Sequence, residues 1–466
     1  MNRIPLREHL PSVLVALIGS AFGVALLQVT LNLGTMIRAD DRTGSSGTAA
    51  LMLTLAAFVF IVIAVYVAAI VTANTFATVI AGRTRTIALL RLVGATAASR
   101  RRAVAREGLT VGIVGGLLGA LCGLGLTWAG FTAASALGAV PDLAYGYTSP
   151  VLLVPVVAVV LTTWLASWVG SRRVLTVSPM QATGASGERS AEEVRGGRRR
   201  HGVAVALMVA GLAFLAGGIL VGLVTPAGVL VAMVGGILSF TGLVQGSQLV
   251  MPPALRLVGR VLGRSASSRL AAENALRYPE RSSRTTIGLV IGVTLITMFA
   301  VAVESYAAMV RAAQQAQPEV YSGIDEIFTL TLTVFSVLIG FSALIACVGM
   351  VNNLSLSVLQ RTRELGLLRA LGFTKRQLRS MILAESAQLT VAAVLVGLVL
   401  GVFYGWAGAQ SLLGAVNGSP GVILPAVPLG LVAVLVVAAG LLTAVASVAP
   451  TRLATRIAPV VALAVD

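Results

Sequence analysis

The sequence predicts an all-α polytopic membrane protein with ten transmembrane helices, arranged as two parallel four-helix repeats and a central helix pair. Composition is the first indication, because the 466 residues are 57% hydrophobic and only 11% charged, whereas soluble domains carry about 25% charged residues. Long stretches without any charged residue are the second. The third is a mixed-charge segment that occurs twice, at residues 83–108 and again at 361–386.

Eight stretches without Asp, Glu, Lys or Arg define the predicted spans: residues 10–37, 43–82, 108–141, 143–171, 202–255, 285–303, 327–360 and 386–451. A transmembrane helix needs about 20 apolar residues, so the fifth and eighth stretches are long enough for two helices each. The fifth is expected to divide at Thr225–Gly228 and the eighth within 414–428. Residues 251–286 place Leu, Val and Ala between arginines at helical spacing, which predicts an interfacial amphipathic helix before the seventh span.

Basic residues predict the orientation. Only three of the 34 Lys and Arg residues, Arg38, Arg42 and Arg311, lie between an odd-numbered span and the following even-numbered one. Because basic loops stay in the cytoplasm, both termini are predicted to be cytoplasmic, and the Ala-, Gly- and Arg-rich composition suggests a bacterial plasma membrane. Topology thus explains the net charge of +17, and no nucleic-acid partner is expected because the charge is spread over separate loops.

An internal repeat organises the chain. Shifting residues 83–108 by 278 positions aligns them on 361–386 with ten of 26 positions identical. Both blocks begin and end on the same side, which indicates a parallel repeat with its axis along the membrane normal. The predicted domains are a first four-helix repeat (1–183), a cytoplasmic linker (184–201), a two-helix insert with an amphipathic segment (202–264) and a second four-helix repeat (265–466).

Each copy of the repeated segment is predicted to form a short cytoplasmic helix, a break and the start of the next span. In the second copy, Leu365, Leu368 and Leu371 share one helical face. Gly372 then follows as a C-terminal glycine, and Thr374 as an N-cap. The first copy has the same features in Ile87, Leu90, Val93 and Gly94.

The second copy carries the pattern Arg-x-Arg-Glu-Leu-Gly-x-Leu-Arg-Ala-Leu-Gly, followed by basic residues and by Glu385 at the start of the next span. This pattern resembles the FtsX-like, or MacB-type, permeases of ABC transporters, in a ten-helix form with a minimal extracytoplasmic domain. The first copy departs from it at Thr86, where the family usually has Glu. Residues 272–285 and 457–464 resemble the family's segments at the start and end of a repeat, so the resemblance covers both four-helix blocks.

In that family the short helix is the coupling helix, which is seated in the nucleotide-binding subunit. The resemblance therefore assigns ATPase coupling to one set of residues in each copy. It also suggests that Glu107 and Glu385 support the coupling helices, although plain helix capping explains these two carboxylates equally well. The coupling residues are Arg83, Arg85, Leu89, Leu90, Arg91 and Gly94 in the first copy, and Arg361, Arg363, Glu364, Leu367, Leu368, Arg369 and Gly372 in the second.

The chain has no phosphate-binding loop of the form G-x-x-x-x-G-K-(S/T), and its single lysine is Lys375. It is therefore expected to be neither an enzyme nor a cofactor-binding subunit. The resemblance implies that ATP and Mg²⁺ bind a separate soluble ATPase, in two copies because there are two coupling helices. His9 and His201 lack companions for a metal site.

The predicted function is that of an ABC permease that exports or expels an amphipathic, peptide or lipid-like compound, with the substrate residues unknown. ATPase-driven signalling across the membrane is the alternative within the family. An ion-coupled secondary transporter would need charged residues inside the spans, and the eight stretches have none. Polar residues inside the spans, such as Gln28 and Asn32, can serve either interhelical hydrogen bonding or substrate contact.

Overall fold

The structure, a computed structural model, describes residues 10–39, parts of 51–73, 89, 93, 96–171 except 139, 198–318 except 263–265 and 278, 372, and 374–441 except 416–420, 431 and 439. Every regular element in this part of the chain is helical. The helices are α1 (Leu10–Ala39), α2 (Ala57–Ile70), α3 (Ala97–Ala136), a 3-10 turn (Pro150–Leu152) before α4 (Leu153–Gly170), α5 (Arg198–Gly222), α6 (Gly228–Gln245), α7 (Ser247–Leu262), α8 (Ala266–Arg277), α9 (Pro279–Ala316) and α10 (Lys375–Leu413).

Seven of these helices are long and apolar enough to cross a membrane, namely α1, α3, α4, α5, α6, α9 and α10. They correspond to the first, third to seventh and ninth predicted spans, and α2 covers part of the second. The eighth predicted span lies outside the described residues, and the tenth is described only as helical residues within 429–441. The all-α membrane fold is thus confirmed, while the count of ten spans stays a prediction.

Both predicted divisions of the long apolar stretches are present. Helix α5 ends at Gly222 and α6 begins at Gly228, so the chain turns where Pro226 interrupts the apolar run. Helix α10 ends at Leu413, and helical structure resumes at residue 429.

Tight parallel helix pairs form the frame of each repeat. Helix α3 packs along α1, and α10 packs along α9. In the first pair, a Cβ atom at Gly123 would lie 2.6 Å from the carbonyl oxygen of Ala21; in the second, one at Gly401 would lie 2.5 Å from Cβ of Thr297. Small residues allow the two helix backbones to come this close. Close packing of this kind drives helix association in a lipid bilayer, where the hydrophobic effect between helices is absent.

The two repeats and the central pair α5–α6 share one core. Its buried members come from α1, α2, α6, α7, α9 and α10, for example Val15, Val67, Phe240, Ile291 and Ala393. Helices α5 and α6 form a hairpin that packs on α10. The inserted pair is therefore built into the second repeat and is not a peripheral addition.

The amphipathic segment forms two helices, α7 and α8, where a single amphipathic helix was expected. Their apolar faces pack against the fifth turn of α10, in a cluster of Leu255 and Val258 from α7, Ala275 from α8, and Leu389 and Ala392 from α10. Helix α9 then starts at Pro279 and continues to Ala316, well beyond the charge-free stretch 285–303. Glu304 and Arg311 near its far end approach each other to 3.8 Å.

Candidate coupling surface at the basic face

Helices α3 and α10 begin on the same side of the membrane, which we call the basic face. Each starts at a threonine whose hydroxyl caps the helix. The Oγ1 atom of Thr96 accepts a hydrogen bond of 3.1 Å from the backbone N–H of Ser99. The Oγ1 atom of Thr374 accepts one of 3.2 Å from the N–H of Gln377, whose side chain in turn accepts from the N–H of Thr374 at 3.0 Å. The predicted N-cap is confirmed, and the repeat has it at both corresponding positions.

Gly372 lies two residues before the second cap, with a φ of +94°. An L-residue with a side chain rarely adopts this backbone conformation, whereas glycine does so without steric cost. This is the conformation expected of a C-terminal glycine, while the short helix predicted before it lies outside the described residues. Its counterpart Gly94 lies outside the described residues.

Immediately before α3 in the chain, one helical turn has exposed apolar side chains. The N–H of Val93 donates to the carbonyl oxygen of Leu89 at 3.2 Å, which is the spacing of an α-helical bond. Leu89 is 50% exposed and Val93 is 88% exposed. Residues four apart share one helical face, so these two side chains form an apolar patch outside the membrane spans.

Of the sequence-predicted coupling residues, Leu89 and Gly372 are described. The others lie outside the described residues: Arg83, Arg85, Leu90, Arg91, Gly94, Arg361, Arg363, Glu364, Leu367, Leu368 and Arg369.

Arg101, in the second turn of α3, contacts the basic-face end of α4. Its guanidinium lies 4.0 Å from the ring centroid of Trp168, and one of its terminal N–H groups donates to the carbonyl oxygen of Trp168 at 3.3 Å. A cation near the C-terminal carbonyls of a helix is favourable, and the indole face adds a cation–π attraction. This contact joins α3 to α4. Sequence reasoning missed it, because Trp168 is 67 residues away and no pattern links the two.

The two candidate support carboxylates lie in different environments. Glu107 is half-buried on α3, whereas Glu385 on α10 is 2% exposed. Glu385 is one turn before Leu389, which packs against α7 and α8. Both carboxylates take part in interactions of their own.

The polar residues predicted inside the first span connect α1 to the segment before α4. The side-chain N–H₂ of Gln28 donates to Oδ1 of Asn32 and to the carbonyl oxygen of Gly146, both at 2.8 Å. Nearby, the phenol of Tyr145 donates to the carbonyl oxygen of Pro141 at 2.8 Å, and partial burial raises the pKa of this phenol. These bonds fix α1 to the segment before α4. Because Oε1 of Gln28 and Nδ2 of Asn32 are buried without a hydrogen-bond partner among the described residues, substrate contact stays an open alternative for this pair.

In the second repeat, three hydrogen bonds connect α10 to the segment that follows it. The amide of Gln410 on α10 donates to the carbonyl oxygen of Gly421 at 2.6 Å and accepts from the N–H of Ile423 at 3.1 Å. The indole N–H of Trp406 donates to the carbonyl oxygen of Ile423 at 2.6 Å. The extended segment 421–428 is thereby fixed to α10 on the side of the membrane opposite the basic face.

Comparison with known proteins agrees with this architecture. The sequence profile of the family described as FtsX-like permease C-terminal matches residues 58–179 and 336–459, which together exceed half of the chain. The two matches begin 278 positions apart, the same displacement that aligns the two mixed-charge segments. A protein of Bacillus subtilis (strain 168) named "Uncharacterized ABC transporter permease YknZ" is 35% identical over 105 residues. That alignment covers 22% of this chain and 25% of the relative. The chain thus belongs to the FtsX-like permease family of ABC transporters, and its fold is that of an all-α, multi-pass membrane protein.

Proposed function

We propose that this chain couples ATP hydrolysis by two copies of a separate soluble ATPase to movement of its two four-helix repeats. The observation that carries the proposal is the exposed apolar patch of Leu89 and Val93 immediately before the capped start of α3. In water, such a patch is stabilised by burial against a partner. Family membership supports an ATPase partner, and the proposal equates the basic face with the cytoplasm.

The path for force follows from helix length. Helices α3 and α10 have 40 and 39 residues. At 1.5 Å per residue each is about 60 Å long, roughly twice the thickness of the hydrocarbon core. A displacement of the short helix before each cap would therefore be carried through the membrane by one continuous rod.

Packing determines what each rod moves. Through Arg101 and Trp168, α3 would move together with α4. Helix α10 would move with α9, with which it interlocks at Gly401, and with the hairpin α5–α6. ATP binding by the two ATPase copies would thus change the position of one repeat relative to the other.

The compound moved is proposed to be amphipathic, peptide or lipid-like. The charge-free stretches of the spans have no group that would neutralise a buried ion. Within the described spans, polar groups such as those of Gln28 and Gln410 bond to backbone of this chain. Signalling through the same movement is the weaker candidate, because the short segments between spans on the side opposite the basic face offer little surface for an extracytoplasmic partner.

Coupling is tested by co-purifying the chain with its ATPase in detergent or nanodiscs. Burying one aliphatic side chain contributes about 1.5–3 kcal/mol. Given their exposures of 50% and 88%, replacing Leu89 and Val93 together by Asp should weaken ATPase binding by about 2–4 kcal/mol, or about 30- to 1,000-fold in Kd.

Leu137 provides the matched control. It is 83% exposed and follows the opposite end of α3, where no ATPase can reach, so Leu137→Asp should leave ATPase binding unchanged. Equal binding by wild type and by the Leu89→Asp, Val93→Asp variant would overturn the coupling assignment. Transport and signalling are then separated by assaying inside-out vesicles for ATP-dependent uptake of fluorescent amphiphiles, since uptake is expected only of a transporter.

A further inference from the structure

A cavity of about 90 Å³ lies inside the membrane-spanning part, where the inserted pair meets both repeats. Its walls come from α2, α5, α6, α9 and α10, and they are almost entirely apolar, with Ile63, Met233, Phe240, Leu295 and Met298 among the lining residues. A larger engineered apolar cavity, of about 150 Å³, stays dry and binds benzene. Water is therefore a poor occupant here, and hydrocarbon is a good one.

Two glycines border the cavity on helices that are otherwise tightly packed. A Cβ atom at Gly236 of α6 or at Gly408 of α10 would meet no atom within 4 Å, and both residues line the cavity. By contrast, the neighbouring Gly235 and Gly405 are pressed against backbone atoms of the facing helices. Along both helices, glycine thus serves close packing at one position and leaves open volume at another.

Among the described residues that line the cavity, three have polar side chains, and one of these three has no hydrogen-bond partner. The phenol of Tyr66 shares a hydrogen bond of 2.7 Å with the hydroxyl of Thr241, and that of Tyr404 shares one of 2.9 Å with Ser239. Thr294 of α9 is 3% exposed and lines the cavity, and its Oγ1 atom has no hydrogen-bond partner. A buried hydroxyl without a partner is unfavourable.

Thr241 on α6 and Thr286 on α9 show how such a hydroxyl is usually satisfied. The hydroxyls of Thr241 and Thr286 donate to the carbonyl oxygen four residues earlier, at 2.6 and 2.8 Å. This bond satisfies a threonine hydroxyl inside an apolar helix. Thr294 and Thr297, both on α9, make no such bond. Of these two, Thr294 lines the cavity, so its hydroxyl is available to a molecule there.

We propose that this cavity binds the hydrocarbon chain of an uncharged amphiphile, whose hydroxyl or ester oxygen forms a hydrogen bond with Thr294. The inference deepens the proposed function, on which its role in transport rests, by placing the lipid-like substrate between the inserted pair and the second repeat. Movement of α10 would then change the cavity directly, since Tyr404 and Gly408 belong to that helix.

Binding is tested without the ATPase, using the full chain in nanodiscs and a fatty alcohol that carries a photoreactive diazirine in its chain. Mass spectrometry should locate the label on α6 and α10, near Met233 and Tyr404. Gly236→Leu fills the cavity and should lower this labelling at least tenfold. Gly217→Leu is the matched control, because Gly217 also has no atom within 4 Å of an added Cβ but is not among the lining residues.

Thr294→Val tests the hydrogen bond, since it removes the hydroxyl and keeps the shape. Labelling by the alcohol should fall about fivefold, as expected for one net hydrogen bond of about 1 kcal/mol, while labelling by the matching alkane diazirine stays unchanged. Labelling that is equal in Gly236→Leu and wild type, or that spreads evenly over lipid-facing helices, would refute the site.

A separate measurement addresses transport. The ATPase activity of the complex with its partner is expected to rise with the fatty alcohol in wild type and not in Gly236→Leu. If labelling is blocked by Gly236→Leu but stimulation is not, the cavity holds a resident lipid, and the substrate assignment is wrong. If no ATPase complex forms at all, the proposed function fails while the labelling result still stands.

Discussion

Replacing Gly401 by alanine should destabilise the protein, although alanine is the better helix former. An added Cβ would lie 2.5 Å from Cβ of Thr297 and 2.9 Å from the carbonyl oxygen of Thr294. Ordinary contacts begin at 3.4 Å, so α9 and α10 must separate by roughly 1 Å, and overpacking of this kind costs about 1–3 kcal/mol. Helix propensity alone would favour alanine by about 0.8–1.0 kcal/mol, so the sign of the change reports the helix contact.

The assay is thermal unfolding of the purified chain in one detergent. Gly401→Ala should lower the Tm by a few degrees. Gly408→Ala, two turns later on α10, is the control, because its Cβ meets no atom within 4 Å, and its Tm should be equal to or above that of wild type. Gly123→Ala in the first repeat should behave like Gly401→Ala, since its Cβ would lie 2.6 Å from the carbonyl oxygen of Ala21. A Tm for Gly401→Ala as high as that for Gly408→Ala would refute the close approach of α9 and α10.

Three further predictions concern the basic face. Thr374→Ala should cost about 1 kcal/mol through loss of the N-cap, whereas Thr374→Ser should cost little; hydrogen exchange in the first turn of α10 distinguishes them, and equal protection would contradict the cap. Arg101→Gln removes the cation over Trp168 and should lower ATPase stimulation more than ATPase binding, whereas a parallel loss of both would indicate a role in docking instead. Alanine substitution of Leu367, Leu368 and Arg369 together should weaken ATPase binding more than the same change in the first copy, because the first copy has Thr in place of the family's Glu; equal Kd values would show that the two copies are equivalent.

Local features of this fold could be predicted from residue order, because each depends on neighbours in the chain. The division between α5 and α6 follows from a proline and glycines within an apolar run. The cap at Thr374 follows from a hydroxyl residue placed before a helical pattern, and the structure has a cap at the corresponding Thr96 as well. The displacement of 278 positions was visible in ten identities, and the two family matches have the same displacement.

Features that depend on helix faces could not be predicted in this way. In a bilayer both faces of a helix are apolar, so hydrophobic periodicity, which identifies the buried face of a soluble helix, carries little information here. The glycines show the difficulty, since Gly401 is tightly packed and Gly408 borders a cavity although they lie on one helix with similar neighbours. The contact of Arg101 with Trp168 was missed because the two residues are 67 positions apart. The periodicity of residues 251–286 predicted amphipathic helix but not its division into α7 and α8.

The corresponding helices of the two repeats, α3 and α10, begin in the same way but pack against different neighbours, and this difference affects the proposed mechanism. Both α3 and α10 begin at a threonine cap and lie along a first helix through glycine. Only α10, among the described contacts, also packs on the inserted pair and on α7 and α8. A force applied equally at the two caps would therefore meet different resistance, because α10 cannot move without its added neighbours. The cavity is bounded by α10 and the inserted pair, so unequal movement of α10 would change the volume of the cavity. We therefore expect this chain to have one asymmetric site and not two equivalent ones.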